Sequence, residues 1–553
     1  MVVAKLVGWL IMARLFIGAI MSSCSSRRAA SSDRTLCRSP TTEMIGPMMS
    51  APILKGPAWC APGLDTKGSR FPLRVEAPVM NLVDALVPGV STMTSNSRYY
   101  SLYWALADYA HDKDFDTLTC RTVLRRAEVA LALASLVNTG TAGLNGPRDM
   151  HGADTVRTRL RTSSAERLVD VGEGSYSPRA WGFWSQYKGP VVTLGIASAD
   201  REALRRGPRA TPDSVKAMFR PFLDLVADRP VAVDDAANLI DLTRVLPDSA
   251  DVAPLRAVMT ATESVGTQTT WTANDRTRRS TFRILARAVQ LQPSGKGWTD
   301  RFFNAVAYGS ALDDDPVFAM EEKRAQTWRG LLLRHHSVGA WRRLWSALVD
   351  QVVAAGDPVA REDLHKWIRS LTTDDTVEMF LRGCPDPFDA HGHPAPAEVQ
   401  LRELREPLEA DLGVLLLGSL RDDQLSGVTQ QAFRGHAGRG RYLDPRWVAH
   451  QRREHLQRPL SDFACTLVDD MLAQSHRVAL LKMHIDGNGR MKLPTKLHER
   501  NGRYFADSRE GSGNVGLRLE QLGGLGTQLG LFATAGERVV TTDRAATLLE
   551  LPR

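Results

Sequence analysis

From about residue 80 onward, apolar residues recur at three- and four-residue steps through most of the chain, which predicts a mainly helical protein. Met80, Leu82, Val83, Leu86 and Val87 fit a short helix that Pro88-Gly89 must end. Ser91, Thr92, Thr94, Ser95 and Asn96 then offer N-cap oxygens to a helix from about Ser97 to Tyr109, whose Tyr100, Tyr103, Trp104, Ala107 and Ala110 share one broad face. TLTCRTVLRRAEVALALASLVN predicts a helix over 117–138. Helical patterns separated by Pro, Gly or Asp then follow from about 212 to 382. Within them, 323–355 reads as an amphipathic helix pair, with Trp328, Leu331, Leu332, Trp341, Leu344, Trp345 and Leu348 as its buried stripe. Arg324, Arg329, Arg334, Arg342 and Arg343 read as its solvated side.

The pattern breaks in three places. Residues 51–80 are dense in Pro and Gly and predict a surface wrap fastened by Trp59, Phe71 and Leu73. Residues 148–197 set Tyr176, Trp181, Phe183, Trp184 and Tyr187 among Gly and Pro, followed by a short strand over Val191 to Ile196. The third break, GCPDPFDAHGHPAPA, excludes helix over 383–397. After it, helices resume over 397–432 and 459–475. The period then shifts to that of strands: VALLKMHI and RMKLPTKL flank Asp486-Gly487-Asn488-Gly489, and a second turn follows at Arg500-Asn501-Gly502. A helix over 515–532, a strand ERVVTT and a last helix DRAATLLEL complete a small unit.

The fold class expected is therefore mainly α, a multi-helix domain with a small C-terminal α/β module whose helix and hairpin order is winged-helix-like. In domain terms, 1–49 is a disordered or mis-started N-terminal extension, and 50–383 is a helical domain with the aromatic-rich insertion 148–197. Residues 384–397 form a Pro-rich linker, 398–475 a helical continuation and 476–553 the hairpin-containing module.

Composition changes this picture little. Of 553 residues, 43% are hydrophobic and 24% charged, the balance of an ordinary globular chain. The formal net charge of +8 invites an acidic partner, yet half of it lies in the first fifty residues. Those residues begin with an apolar run that Arg14 interrupts, too short to span a bilayer, so stable membrane insertion is not expected. Association with a membrane through residues 2–21 is the lesser alternative to a cytoplasmic protein. The six cysteines contain no CxxC pair and read as reduced thiols.

FPLRVEAPVMNLVDALVPGVSTMTSNSRYYSLYWAL, Phe71 to Leu106, resembles the N-terminal region of an uncharacterised, mainly actinobacterial protein family that shows a PLxVE…LxPGVxTxTxxxRYYxL series. The resemblance implies that Pro88, Gly89, Arg98, Tyr99 and Tyr100 belong to the family's pattern and that the native chain starts near residue 49. It implies no activity; remotely similar proteins look like occupants of defence-type gene neighbourhoods, an association without a mechanism.

Candidate chemistry is sparse. Arg98 and Tyr99 at a helix start could contact an anion, or belong to the core with Arg98 exposed or paired to Asp84 or Asp108. Lys482, Arg490, Lys492, Lys496, Arg500 and Arg503 make the C-terminal hairpins basic and suit phosphate contact. Cys384, Asp386, Asp389, His391 and His393 form a metal-like handful without a zinc spacing, so no metal or other cofactor is expected. HIDGNGR is similar to the loop core of Fic-type AMP transferases, whose catalytic His lies four residues before the acidic one; here that position is Lys482, and the string reads as a hairpin turn. RGHAGRGRYLDPRW lacks the phosphate-loop arrangement, and no nucleophile elbow, zincin helix or dinucleotide loop occurs. The leading expectation is a non-enzymatic helical scaffold or adaptor with a protein partner, in a defence-type setting. A nucleic-acid-binding regulator and an enzyme with a site assembled from distant residues are the alternatives.

Overall fold

The axis of the molecule is one 34-residue helix, Glu322–Ala355, with no proline inside it and Gly356 ending it at φ +73°. The computed structural model describes residues 71–137, 150–162, 171, 182–200, 203–263, 270–435, 442–485, 491–536 and 538–552. All of these lie in the compact unit Pro57–Arg553; the other unit, Met1–Gly56, lies outside the described residues. The N-terminal extension, the start near residue 49, Trp59, Tyr176, Trp181, Arg490 and the turn 486–489 therefore also lie outside them.

The expected helix pair over 323–355 is corrected to this single helix, and its expected solvated arginine side is corrected at all but Arg324, which stays part-exposed beside Glu321. Arg329 and Arg334 are buried, Arg342 pairs with Glu76, and Arg343 pairs with Asp411. Helices pack against the axis on several sides, so the guanidinium groups of Arg329, Arg342 and Arg343 reach carbonyls and carboxylates on neighbouring segments. Arg329, for example, donates from Nε to Val306 O at 3.0 Å and from Nη2 to Gly309 O at 2.8 Å.

Two cores share this helix. Trp328, Leu331, Leu332 and Val338 join a core with Ala77–Leu86, Arg98–Asp112, Thr117–Val137, Asp213–Asp228 and Ala273–Leu291. Ala340, Trp341, Leu344 and Leu348 join a second core with Pro407–Gln424 and Leu460–Leu481. The last residues of the chain return to the first core through Leu517, Leu519, Leu522, Leu525, Leu529, Leu531 and Phe532.

The protein is mainly helical, with a few small antiparallel sheets of two or three strands. The strand expected over Val191 to Ile196 is replaced by the helix Lys188–Thr193, which continues a π-helical turn, Phe183–Tyr187. The strand pair comes later, Ala197–Asp200 against Ala203–Arg206. VALL, expected as strand, ends the Leu460–Leu481 helix, and only His484–Ile485 pairs with Met491–Lys492. At the second hairpin, Leu497–Arg500 pairs with Arg503–Ala506 through Asn501 and Gly502 at φ +54° and +72°, and Val359–Ala360 adds a third strand. The expected helix over 515–532 is shorter, Leu519–Gln528, because Phe532–Ala535 turns at Gly536 to pair with Arg538–Thr541.

Candidate functional site

Arg98 is fully buried, and its partner is neither Asp84 nor Asp108. Its Nη1 lies 2.6 Å from Asp251 Oδ1, and its Nη2 donates to the carbonyl of Arg244 and to Ser249 Oγ at 3.3 Å. Burial lowers its pKa, and Asp251 opposes that shift. Asp84 pairs instead with Arg518, and Asp108 with Arg206 and Lys216. The Pro88-Gly89 turn is held in the same manner. Gly89 lies at φ +84°, its carbonyl accepts from Tyr100 Oη at 2.8 Å, and Pro88 O accepts from buried Arg278 at 3.2 Å. Pro88, Gly89, Arg98 and Tyr100 are thus fasteners that join the first described helices to distant segments.

Tyr99 opens onto a cluster that sequence spacing conceals. Tyr99 Oη accepts from the backbone N–H of His151 at 3.0 Å, its ring lies 5.3 Å from that of Tyr187, and Tyr103 stacks beside it at 5.8 Å. Tyr103 Oη donates to Glu128 Oε1 at 2.7 Å, and the Phe183 N–H donates to the same oxygen at 2.8 Å. Gly182 passes so close that a Cβ there would lie 2.2 Å from Glu128 Oε1. Burial among these rings pushes the Glu128 carboxyl up to about 7, against the pull of the Phe183 N–H and the Tyr103 hydroxyl. Burial also pushes His151 down to about 4, so its imidazole is neutral at ordinary pH. Tyr187 Oη donates to Asn96 O at 2.9 Å and lies 3.4 Å from His151 Nε2. A carboxyl that titrates near neutrality, a neutral imidazole and tyrosyl hydroxyls therefore converge from five places in the chain. The sequence does carry one signal for Glu128, an acid inside the apolar run AEVALALASL.

A second polar cluster lies midway along the central helix. His336 Nε2 is 2.8 Å from Tyr308 Oη, and His335 takes Val515 O at 2.8 Å and the Asn514 amide. Burial lowers both imidazoles to about 4; Glu398 opposes this at His336. Glu398 and Arg421, both buried, form a bidentate pair at 2.6 Å, and Arg421 also donates to Pro387 O and Ala395 O. The Pro-rich loop is thereby bound on its inner side. Within that loop Asp389 accepts from the His391 and His393 amides, and Cys384 Sγ donates to Phe380 O. Among the described residues no three His, Cys, Asp or Glu side chains converge as a metal-ligand set.

The basic hairpin residues are dispersed. Lys482 Nζ donates to Phe71 O at 3.3 Å, and Lys496 Nζ donates to Arg509 O at 2.6 Å and lies 3.6 Å from Glu510. Arg503 donates to Pro358 O at 3.2 Å and sits opposite Arg500 across the hairpin; Lys492 sits opposite His484.

At the end of the Leu460–Leu481 helix the pattern of burial reverses. Leu480, Leu481, Met483 and Ile485 are 42, 68, 39 and 68% exposed, a run of large apolar side chains facing outward on a helix end and a two-residue strand. No family model, curated protein or solved structure matches this chain. No helix among the described residues is long and apolar enough to cross a membrane.

Proposed function

We propose that the protein is a helical scaffold or adaptor that docks a protein partner on the apolar run Leu480, Leu481, Met483 and Ile485. The carrying observation is the exposure of Leu481 and Ile485, each 68%, in a chain that buries most of its described large apolar side chains. Neighbouring exposed apolar side chains of this size mark interaction surfaces. Exposed His484 and half-buried Lys492 edge the run, so the partner's contact face is apolar with a polar rim. The nucleic-acid reading has weaker support, because Lys482, Lys496 and Arg503 already spend donors on backbone carbonyls.

The double substitution Leu481→Glu and Ile485→Glu tests the reading. Both side chains point outward, so thermal unfolding should stay within about 2 °C of the parent, the scale of surface substitutions. A photo-crosslinking residue at 483 in cells should trap a defined protein partner that is lost when the double substitution is added. Crosslinking only to a second copy of this chain, or an unchanged partner in the double variant, would refute the adaptor reading.

A further inference from the structure

Where the Leu519–Gln528 helix crosses Trp298 there is an open cavity of about 360 Å³, within the size range of small-molecule sites. Its walls come from four distant segments: Ser95 and Asn96, Thr243 and Val245, Trp298, and the C-terminal residues Gly524, Thr527, Gln528, Thr534 and Val539. None of the described residues lining it is charged.

The cavity is held open by anchors that need no ligand. Gln528 takes the Ser97 N–H at 2.8 Å and donates to Ser95 O at 2.8 Å, which clamps the loop before the aromatic helix to the far end of the chain. Asn96 Oδ1 accepts from Arg98 N at 2.9 Å. The Arg98 side chain, through Asp251 and the Arg244 carbonyl, fixes the segment that carries Thr243 and Val245. Trp298 lies against a glycine of the crossing helix: a Cβ on Gly523 would come within 2.0 Å of Trp298 Cδ2, so the ring keeps this place only because no side chain stands there. Phe532 packs on the indole at 4.8 Å between centroids, and the ring remains half-buried where it lines the cavity. The Ser95 and Thr534 hydroxyls lie at the cavity and make no hydrogen bond within the described residues.

We infer that this cavity binds an uncharged, hydroxylated ring of monosaccharide size, stacked on Trp298 and hydrogen-bonded at its edge by Ser95 and Thr534. The chemistry selects that class in three ways. A half-exposed indole beside polar groups offers an apolar face and a wet edge, which matches the C–H face and hydroxyl rim of a pyranose. Hydroxyls donate and accept by rotation, so they suit ligand hydroxyls better than the fixed donor and acceptor row of a nucleobase. A phosphorylated ligand would need a cation or a row of backbone N–H groups, and the described lining residues hold no charge. The site is remote in sequence from the apolar run at 480–485 and stands independently of the adaptor reading.

The test uses the full chain and saturation-transfer difference NMR with glucose, galactose and N-acetylglucosamine, beside adenosine and glucose 6-phosphate. At least one neutral sugar should receive saturation and compete with the others, with little dependence on salt. Ser95→Ala with Thr534→Val should weaken that sugar about tenfold at unchanged melting temperature, the effect of about 1.4 kcal/mol of lost hydrogen bonding. Trp298→Ala carries a folding risk because Trp298 packs on Phe532. Thr534→Trp, on an exposed strand position, therefore serves as the second variant and should abolish binding by filling the cavity. A sugar chain that binds more tightly than the free ring in the same site would identify a glycan end as the source; equal affinity would identify the free sugar. No saturation of any neutral sugar at millimolar concentration, preference for adenosine or the phosphate, or binding indifferent to Thr534→Trp would each overturn the inference.

Discussion

Glu128 is a carboxyl that the fold keeps protonated at a measurable cost. Its folded-state pKa is about 7, raised by burial from an ordinary 4.5. The folded form thus holds its proton more tightly than the unfolded chain does, and stability falls as pH rises from about 4.5 through about 7. Glu128→Gln keeps an oxygen to accept from Tyr103 and Phe183 and cannot ionise. The variant should match the parent near pH 4.5 and exceed it at pH 8 by about 3 kcal/mol, at 1.36 kcal/mol for each pH decade between the two pKa values. Urea denaturation at the two pH values checks this. A gap of the same size at both would mean that the carboxyl does not titrate in that window, and a variant weaker at pH 8 would mean that its charge is needed. The half-buried histidines 151, 335 and 336 act in the opposite sense, each held neutral to about pH 4, so they remove stability as pH falls below about 6.5. Comparing the Glu128→Gln variant with the parent at each pH cancels their contribution.

At the scale of elements, the central helix shows what spacing could and could not reveal. Trp328, Leu331, Leu332, Trp341, Leu344, Trp345 and Leu348 were legible as a buried stripe, and all are buried. Arg329 and Arg334 were not legible as buried, because a guanidinium on a helix reads as solvated until the neighbouring carbonyls are in place. The same limit hid the partner of Arg98: an ion pair to Asp251 depends on tertiary contact and leaves no local pattern. The Asn501-Gly502 hairpin was legible because its left-handed turn has a residue preference of its own. The strand expected in VALL failed because four apolar residues in a row fit the end of a long helix equally well. The cavity beside Trp298 draws on four segments and carried no signal at all. Within the central helix, Gly330 marks the closest approach of a neighbour: an added Cβ would lie 2.1 Å from Thr429 O and 2.9 Å from Phe433 N. Gly330→Ala should therefore destabilise, since an overpacking cost of about 1–3 kcal/mol, enlarged here by contact with backbone, exceeds the gain of about 1 kcal/mol in helix propensity. A lower urea midpoint with an unchanged slope is the expected reading; a higher midpoint would mean that the Gly427–Arg434 helix moves aside freely.

For the molecule as a whole, the decisive feature is that the chain end returns to where the fold begins. Gln528 bonds to Ser95 and Ser97, Arg518 donates to Val90 O at 2.8 Å, and Arg283 and Arg256 reach the carbonyls of Leu549 and Leu529 at 2.9 Å each. Leu519, Leu522, Leu525, Leu529 and Leu531 have 0% exposure within the first core. Burying one such side chain contributes about 1.5–3 kcal/mol, so this set together is comparable to the whole net stability of a typical domain, about 5–15 kcal/mol. Ending the chain after residue 510 should then abolish cooperative unfolding of everything before it, not merely trim a tail. Circular dichroism through a urea titration, with hydrogen exchange at Arg98–Asp112 as the local probe, reads the outcome. A truncated chain that unfolds cooperatively and still protects that helix would show that the first core closes without the C-terminal return. Loss of protection there, far from the cut in sequence, would show that the first described helices and the C-terminal segment complete one core and that the cavity between them exists only in the intact fold.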